Sequence, residues 1–257
     1  MNVLRAWLWG FGYLLMAVCC PMQAWAAEET KVVPVLTFLE GRVMLRPADG
    51  ARVELPKLGR VLADGEVLVT GDQSRVQVQV GKDGLWRVGR RGVFSPQREG
   101  GRLSAGTALV RVPSDSGWVI ESSRGMARLS RGLWMLQAVD NEGMKLICLD
   151  GPATVEALGD GTATKADAGS AQRLKLRPGE LVFLRPGGKD FGPIVTVYLE
   201  ELLATSRLVN AFPEPLAEAR RLSNLGIAQR EQLKGVTNAL VAGAREEKGF
   251  EIAVPKK

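Results

Sequence analysis

Short runs in which apolar and polar residues alternate, separated by glycine, fill the chain from about residue 32 to residue 198. The clearest run is 75–80, where three valines alternate with arginine and glutamine. A period of two predicts a half-buried strand whose valines face a core while the polar side chains face water. Similar runs lie at 43–45, 65–70, 85–88, 108–112, 118–121, 126–129, 134–139, 144–149 and 181–184. Many short strands with glycine corners, and no helical spacing long enough for βαβ units, predict an all-β body.

A Leu-x-x-Gly segment precedes four apolar runs, with its leucine at position 62, 103, 129 or 176. This spacing predicts a leucine that enters the core, followed by a tight turn whose glycine adopts a positive φ. The intervals between the four segments are unequal, so they do not form a strict repeat. The fold class predicted for residues 32–198 is therefore mainly β, with an irregular β-solenoid or sandwich-like body.

After residue 198 the spacing of the apolar residues changes to steps of three and four. This spacing predicts a C-terminal helical segment over residues 199–247, interrupted at Pro213 and Pro215, with a tail over residues 248–257. The apolar positions behind this prediction are Leu199, Leu202, Leu203, Val209, Leu222, Leu225, Leu233, Val236 and Leu240. Glycines inside the segment weaken an isolated helix by about 1 kcal/mol each relative to alanine. The apolar stripe must therefore pack on another surface, either the protein's own β body or a partner chain.

The first 26 residues have the three parts of a cleavable signal peptide. Arg5 precedes an apolar block over residues 6–20, and an A-x-A triplet follows at residues 24–26. This order predicts cleavage after Ala26 and a periplasmic or secreted protein. The block is shorter than the roughly 20 residues that span a bilayer. An uncleaved membrane anchor is the alternative.

The three cysteines are divided by the predicted cleavage site. Cys19 and Cys20 end the apolar block, and Cys19 is a poor lipid acceptor because Val18, rather than a small residue, precedes it. Cleavage after Ala26 removes both, which leaves Cys148 as the only thiol and excludes an intramolecular disulfide. Cys148 lies in an apolar run, which predicts a buried, unreactive thiol rather than a nucleophile.

The chain contains no histidine. This excludes Ser-His-Asp and Cys-His catalytic arrangements, imidazole acid–base chemistry and histidine-based metal sites. No phosphate-binding or dinucleotide-binding glycine motif is present. In the loop over residues 158–170, Asp160 and Asp167 lack the alternating spacing of calcium loops. We therefore predict a protein that is not an enzyme, with no catalytic, cofactor-binding or metal-ligating residue and no cofactor. An envelope hydrolase that uses two carboxylates is a minor alternative.

Charge and aromatic residues bear on the class of partner. The net charge of +6 is modest and spread along the chain, which favours weak attraction to anionic surfaces over nucleic acid binding. Residues 86–91 combine one tryptophan with three arginines, a set able to stack on sugars or bind anions. The alternative is an inward Trp86 beside a solvated basic edge. Trp118 and Trp134 lie in strand-like runs, where core positions are expected.

One stretch, over residues 65–75, reads G-x-V-L-V-T-G-x-x-S-R and is followed by D-G-L-W-R-V-G over residues 83–89. Together with residues 39–43, 103–110 and 176–180, these stretches resemble the FecR domain, a β-rich periplasmic module of Gram-negative bacteria. The resemblance covers roughly residues 36–185. It implies an all-β fold and a periplasmic module that contacts other proteins.

The members that gave this family its name are single-span regulators, with a cytoplasmic segment that holds a sigma factor and a periplasmic part that senses an outer-membrane receptor. Few residues precede the apolar block here, so the sigma-binding role is not expected to transfer. The predicted function is that of an exported, non-catalytic protein-interaction or signalling scaffold, whose partner is another envelope protein. Binding of cell-wall glycan or another polysaccharide is the alternative. A membrane-anchored signalling regulator is a minor alternative if the N-terminal segment is not cleaved.

Overall fold

The computed structural model describes residues 33–114, 117–139, 142–151, 153–159, 172–234 and 240–241. The predicted signal peptide, the predicted tail and the two aspartates weighed as a calcium site, Asp160 and Asp167, lie outside these ranges. Within the described ranges the chain forms strands and helices that we number in chain order. The strands are β1 Pro34–Glu40, β2 Val43–Arg46, β3 Val67–Thr70, β4 Arg75–Val80, β5 Gly84–Val88, β6 Val93–Gln97, β7 Gly100–Val112, β8 Trp118–Ser122, β9 Gly125–Leu129, β10 Gly132–Val139, β11 Gly143–Asp150, β12 Ala153–Gly159, β13 Arg173–Leu176, β14 Glu180–Leu184, β15 Val195–Val197 and β16 Leu240–Val241. The helices are α1 Leu199–Thr205, α2 Arg207–Asn210 and α3 Ala219–Leu233.

The strands form two curled sheets that share β7. Sheet A has the order β1-β4-β5-β7-β10-β11-β14-β15-β16. Sheet B has the order β2-β3-β6-β7-β8-β9-β12-β13. Neighbouring strands are antiparallel except at β7–β8 and β15–β16. The prediction of a mainly β protein with C-terminal helices is confirmed.

Strand β7 passes from one sheet to the other at Gly106. Just before this point, Ala105 lies opposite Val93 of β6 in sheet B. From Gly106 onward the strand pairs with β10 in sheet A, starting opposite Ala138. Gly106 has a φ of 89°, a conformation that favours glycine, and a Cβ atom there would lie 2.7 Å from the Cα of Gly92. The crossing therefore requires glycine.

Alternation along the strands divides the apolar residues between two cores. In β5, Trp86 and Val88 enter the inner core, which lies between the two sheets, whereas Leu85 faces the opposite side of sheet A. The outer core lies between sheet A and the C-terminal segment. Its main members are Leu85, Leu109, Leu133, Ile147 and Leu149 from the sheet and Leu199, Leu202, Leu208, Phe212, Leu216 and Leu222 from the C-terminal segment. Burial of sheet A on both faces explains why residues 146–149 of β11 form a continuous apolar run rather than an alternating one.

The C-terminal segment packs on the protein's own β body, which was one of the two alternatives for its apolar stripe. Helices α1 and α3 contribute Leu199 and Leu222 to the outer core. The helical spacing predicted as far as Leu240 ends earlier, because α3 stops at Leu233 and Leu240–Val241 form β16 beside β15. Pairing with an open strand edge outweighs the weak helix propensity of this glycine-containing sequence. Among the described residues, no helix has both the length and the apolar character needed to cross a bilayer.

The four Leu-x-x-Gly segments behave as predicted in two respects. All four leucines are buried in the inner core, namely Leu62, Leu103, Leu129 and Leu176. All four glycines adopt a positive φ, with values of 84° at Gly65, 89° at Gly106, 150° at Gly132 and 82° at Gly179. Two segments differ from the prediction, because Gly106 lies inside β7 at the crossing between sheets and Gly132 is the first residue of β10, so neither is in a turn.

Candidate functional site

Trp86 faces inward, as one of the two interpretations of residues 86–91 expected, so this stretch offers no aromatic surface to a ligand. Trp86 is fully buried in the inner core, where its ring centroid lies 4.4 Å from that of Phe94 and 6.3 Å from that of Trp118. Trp118 and Trp134 are buried as well, in the core positions expected for them. A sugar ring has no access to these side chains. The glycan-binding alternative therefore loses the aromatic residues on which it rested.

Two buried tryptophans provide a matched test of inner-core packing. The indole nitrogen Nε1 of Trp134 donates to the carbonyl oxygen of Ser130 at 3.1 Å, whereas no acceptor lies within hydrogen-bonding distance of Trp86 Nε1 among the described residues. Trp86→Phe removes an unsatisfied donor, while Trp134→Phe breaks a hydrogen bond. We expect Trp134→Phe to lower the free energy of unfolding by about 1–3 kcal/mol more than Trp86→Phe. Urea denaturation of both variants measures the difference, and an equal or larger loss for Trp86→Phe would contradict it.

Arg87 lies on the opposite face of β5, and the interpretation of a solvated basic edge is wrong for this residue. Its side chain is buried beneath the C-terminal segment. Its Nε donates to Gln77 Oε1 at 2.9 Å, and its Nη1 donates to the carbonyl oxygens of Leu208 and Val209 at 3.2 and 3.3 Å. Its Nη2 donates to the carbonyl oxygen of Glu214. One guanidinium group therefore fastens α2 and the segment that follows it to sheet A.

The charge of Arg87 is retained although the group is buried. Burial, and to a lesser extent the positive charge of Arg111, lowers the pKa of Arg87 to about 10. At neutral pH the group is still cationic, and hydrogen bonds from a cation are stronger than those from a neutral donor. The Cζ atom also lies 4.4 Å from the ring centroid of Phe212, a cation–π geometry.

The residues that carry the FecR resemblance form a structural corner. Thr70 Oγ1 donates to the carbonyl oxygen of Gly89 at 2.5 Å and accepts from the N–H of Gly92 at 2.7 Å. These bonds join the last residue of β3, in the middle of the stretch at 65–75, to the turn that follows the stretch at 83–89. Thr70 is buried and holds two β turns together, whereas Asp72 and Asp83 of the same stretches are exposed.

Cys148 is fully buried in the inner core, which confirms the predicted position of this thiol. Burial is the main cause that raises the pKa of Cys148 to about 12, and the charge of Glu180 adds to it. A thiol with such a pKa is protonated at neutral pH and is a poor nucleophile. Cys148 is therefore a core residue.

We expect iodoacetamide at pH 8 to leave Cys148 unmodified in the native protein and to modify it in concentrated urea. Mass spectrometry measures the alkylation. The pKa of this thiol is near 9 in the unfolded chain and about 12 in the folded protein, so burial of Cys148 does not reduce the free energy of unfolding below pH 9 and reduces it progressively as the pH rises above 9. Rapid modification of the native protein would contradict the burial, and Cys148→Ala serves as the blank.

A polar cleft of about 530 Å³ opens where the start of α3 meets the ends of β7 and β11. Arg111 donates from Nε and Nη2 to the two carboxylate oxygens of Glu218 at 2.7 and 2.8 Å. Arg221 forms an ion pair with the buried carboxylate of Asp150. These two pairs attach α3 to sheet A. The described residues hold no group of three or more acidic or cysteine side chains placed to bind a metal ion.

An exposed apolar ridge lies on the connection between β2 and β3. We define the apolar ridge as Val53, Leu55, Leu58 and Val61, whose exposed fractions are 47%, 74%, 61% and 54%. Exposed aliphatic side chains are ordinary when they are scattered singly, whereas these four fall within one short stretch. Clustering of this kind is typical of a surface that another molecule covers.

Backbone hydrogen bonds anchor the ridge to both sheets. Leu45 and Glu54 exchange two bonds of 2.8 and 2.9 Å, which attach the connection to β2. The N–H of Gly59 donates to the carbonyl oxygen of Leu36 at 2.8 Å, and the N–H of Leu36 donates to that of Arg60 at 2.9 Å, which attaches it to β1. Since β1 and β2 are the edge strands of sheets A and B, the connection closes one side of the sandwich.

The charges around the ridge are unevenly neutralised. Arg60 Nη2 lies 2.9 Å from Glu54 Oε1 and 2.6 Å from Glu66 Oε1, and the hydrogen bond with Glu66 raises the pKa of Arg60. Arg52 and Lys57 are exposed, and no carboxylate of the described chain pairs with either. Two cations beside the ridge therefore have no carboxylate partner in this part of the chain, while the carboxylates of Glu54 and Glu66 share the single cation Arg60.

The ridge was not predicted from the sequence. Its four apolar residues are spaced at steps of two, three and three, which fits neither a strand nor a helix. A signal was present in the composition, since large aliphatic residues alternate with charged ones around Pro56 and Gly59, where no regular element is able to bury them.

No protein-family model matches this chain, and no curated protein matches it. Among solved structures, the chain is similar to two crystal structures from Parabacteroides distasonis that are described as a "putative anti-sigma factor". They are 10% and 11% identical to this chain, with TM-scores of 0.38 and 0.37. Each similarity covers 51% of this chain and 59% of the solved chain, so this protein spans less than two thirds of the structures that it matches.

Proposed function

We propose that this protein is an exported, non-catalytic, FecR-like module of the cell envelope that acts as a protein-interaction or signalling scaffold. The observation that carries the proposal is the apolar ridge. It combines four exposed aliphatic side chains with backbone attachment to two edge strands and with two cations, Arg52 and Lys57, that no carboxylate of the described chain pairs with. Rigid apolar patches flanked by charge are characteristic of surfaces that bind proteins.

The distribution of reactive groups favours binding over catalysis. The chain has no histidine, and its one thiol in the described region lies in the inner core. Four charged side chains of the polar cleft pair with one another and clamp α3 onto the sheet. The tryptophans of the described region are buried, which disfavours a sugar platform and leaves protein contact as the better hypothesis.

The envelope location rests on the N-terminal signal pattern and on the FecR-like stretches. Sequencing the N-terminus of the mature protein tests this part, and we expect the chain to begin at Ala27 in the periplasmic or secreted fraction. If the chain begins at Met1 and sediments with the membrane, the hypothesis of an exported scaffold is replaced by that of a membrane-anchored regulator.

Native complex size tests the proposed binding function. We expect the wild-type protein, extracted from its host's envelope in mild detergent, to elute in size-exclusion chromatography together with one other envelope protein in a fixed ratio. The double variant Leu55→Ser, Leu58→Ser is expected to elute at the size of the free chain, because it removes most of the apolar contact area.

Ile227→Ser is the matched control, since Ile227 is an aliphatic residue of α3 that is 45% exposed and lies outside the ridge. This variant is expected to keep the complex. Thermal unfolding of all variants checks that the exposed substitutions leave the fold intact. A wild-type protein that elutes alone, or a double variant that keeps its partner, would refute the proposal.

A further inference from the structure

We infer that the apolar ridge binds an extended segment of the partner protein that carries alternating apolar and acidic residues and adds as a strand along residues 53–55. This inference rests on the proposed protein-binding function and specifies the chemistry of the partner. Strand addition uses main-chain hydrogen bonds for affinity and side-chain contacts for specificity.

The connection offers an open strand edge beside the ridge. Glu54 directs its N–H and C=O groups towards Leu45 of β2. In an antiparallel pair the backbone groups of successive residues point to opposite sides, so those of Val53 and Leu55 point away from β2. Within the described part of the chain, neither residue forms a backbone hydrogen bond on that side. Four backbone groups are therefore available to an incoming strand.

The edge is short and its end is defined. Pro56 follows directly, has no N–H group and is buried, so the line of donors and acceptors stops there. A three-residue edge accommodates one extended peptide and is too short to template the pairing of whole sheets. Val53 and Leu55 are two residues apart and lie on one face, which suits a ligand with apolar side chains at alternate positions.

The charges of Arg52 and Lys57 favour acidic side chains at the positions of the ligand between its apolar residues. Arg52 and Lys57 flank the edge, and their charges are not balanced by carboxylates of the described chain. Acidic side chains on an incoming strand would neutralise them, and charge complementarity of this kind favours one partner over another. Glu54 lies on the same face as Arg52, but its carboxylate already pairs with Arg60. The edge therefore fits an apolar segment with glutamate or aspartate at the intervening positions beside Arg52 and Lys57.

Other occupants fit less well. Insertion into a bilayer would place the four unpaired backbone groups of Val53 and Leu55 in hydrocarbon, where they have no hydrogen-bond partner. Pairing of two copies of this chain would bring two sets of the unneutralised Arg52 and Lys57 together, which is unfavourable.

Fluorescence anisotropy with three labelled peptides tests the inference on the full mature protein. The first peptide alternates valine with glutamate, the second alternates valine with lysine, and the third is the first with N-methyl groups on the N–H positions that face the edge. We expect the valine–glutamate peptide to bind and the valine–lysine peptide to bind about fivefold or more weakly. N-methylation is expected to weaken binding about tenfold, because it removes the main-chain hydrogen bonds.

Two variants and one control variant assign the contacts. Leu55→Ser is expected to weaken binding of the valine–glutamate peptide about tenfold through loss of apolar contact. Ile227→Ser is expected to leave the affinity for this peptide unchanged. The double variant Arg52→Glu, Lys57→Glu is expected to reverse the preference, so that the valine–lysine peptide binds more tightly.

Several results would overturn strand addition. They are equal binding of the N-methylated and unmodified peptides, no binding of any peptide, sedimentation of the protein with phosphatidylglycerol vesicles that Leu55→Ser abolishes, or a dimer that Leu55→Ser dissociates. If any of these occurs while the native complex still depends on Leu55 and Leu58, protein binding stands and only strand addition fails. If the native complex is absent as well, both proposals fail.

Discussion

Arg87→Met is expected to lower the free energy of unfolding by about 3–5 kcal/mol, because it removes one buried guanidinium that serves several acceptors at once. Methionine fills much of the space but donates no hydrogen bond, so Gln77 Oε1 and the carbonyl oxygens of Leu208 and Glu214 lose their donor. Urea denaturation followed by tryptophan fluorescence measures the loss. Limited proteolysis is expected to cut the C-terminal segment faster in the variant, since this arginine fastens the segment to sheet A.

Arg91→Met is the control for loss of a guanidinium group. Arg91 is exposed, and its ion pair with Asp72 lies in solvent, so we expect the unfolding midpoint to stay close to that of the wild type. If Arg87→Met is as stable as Arg91→Met, the apolar contacts and the ion pairs of Arg111 and Arg221 suffice to hold the C-terminal segment, and the role assigned to Arg87 is wrong.

Gly106→Ala is expected to cost about 3–5 kcal/mol, from the unfavourable positive φ together with steric overlap. The added methyl group would lie 2.7 Å from the Cα of Gly92 and 3.1 Å from the carbonyl oxygen of Arg91. Both contacts are with backbone atoms, so relief requires the turn after β5 to move. Because β7 passes between the sheets at this residue, the disturbance is expected to reach both sheets.

Gly187→Ala separates the cost of the positive φ from the cost of the steric overlap. Gly187 has a φ of 92°, close to that of Gly106, but no heavy atom lies within 4 Å of its added Cβ position. We expect this variant to lose only the conformational part, about 1–2 kcal/mol. Equal losses in the two variants, measured by chemical denaturation, would show that the contact with Gly92 has no energetic consequence.

Local patterns predicted the local structure well. The alternation of valines over residues 75–80 identified β4, and the Leu-x-x-Gly spacing identified four buried leucines and four glycines of positive φ. Each of these features depends on residues close together in the chain, where side-chain periodicity and backbone sterics are decisive.

Features that depend on distant residues were not predictable in the same way. From its neighbours in the sequence, Arg87 is expected at a solvated edge. It is buried because the chain around Leu208, 121 residues further on, covers it. Residues 103–112 contain two strand signals, but nothing in them indicates that one continuous strand serves two sheets with Gly106 as the crossing point. The apolar ridge was missed because its spacing belongs to a connection and reflects no regular element.

The burial of the tryptophans changes how residues 83–89 are understood. In the sequence, Trp86 and its neighbouring arginines resemble a binding cluster. In the structure, Trp86 packs between the sheets, Arg87 fastens the C-terminal segment, and Thr70 joins this stretch to the preceding corner. The stretches that resemble the FecR domain therefore encode architecture, and the surface proposed for function lies on a connection that they do not include.

Site-specific photo-cross-linking in intact cells tests the central claim most directly. A photoreactive amino acid replaces Leu58, the most exposed residue of the ridge outside the strand edge at residues 53–55. The same amino acid at position 227 provides the control. We predict that position 58 forms one discrete adduct with an envelope protein, that position 227 does not, and that Leu55→Ser in the same chain removes the adduct. Absence of an adduct at position 58, in cells where the protein is folded and abundant, would contradict the claim that the ridge binds a protein partner.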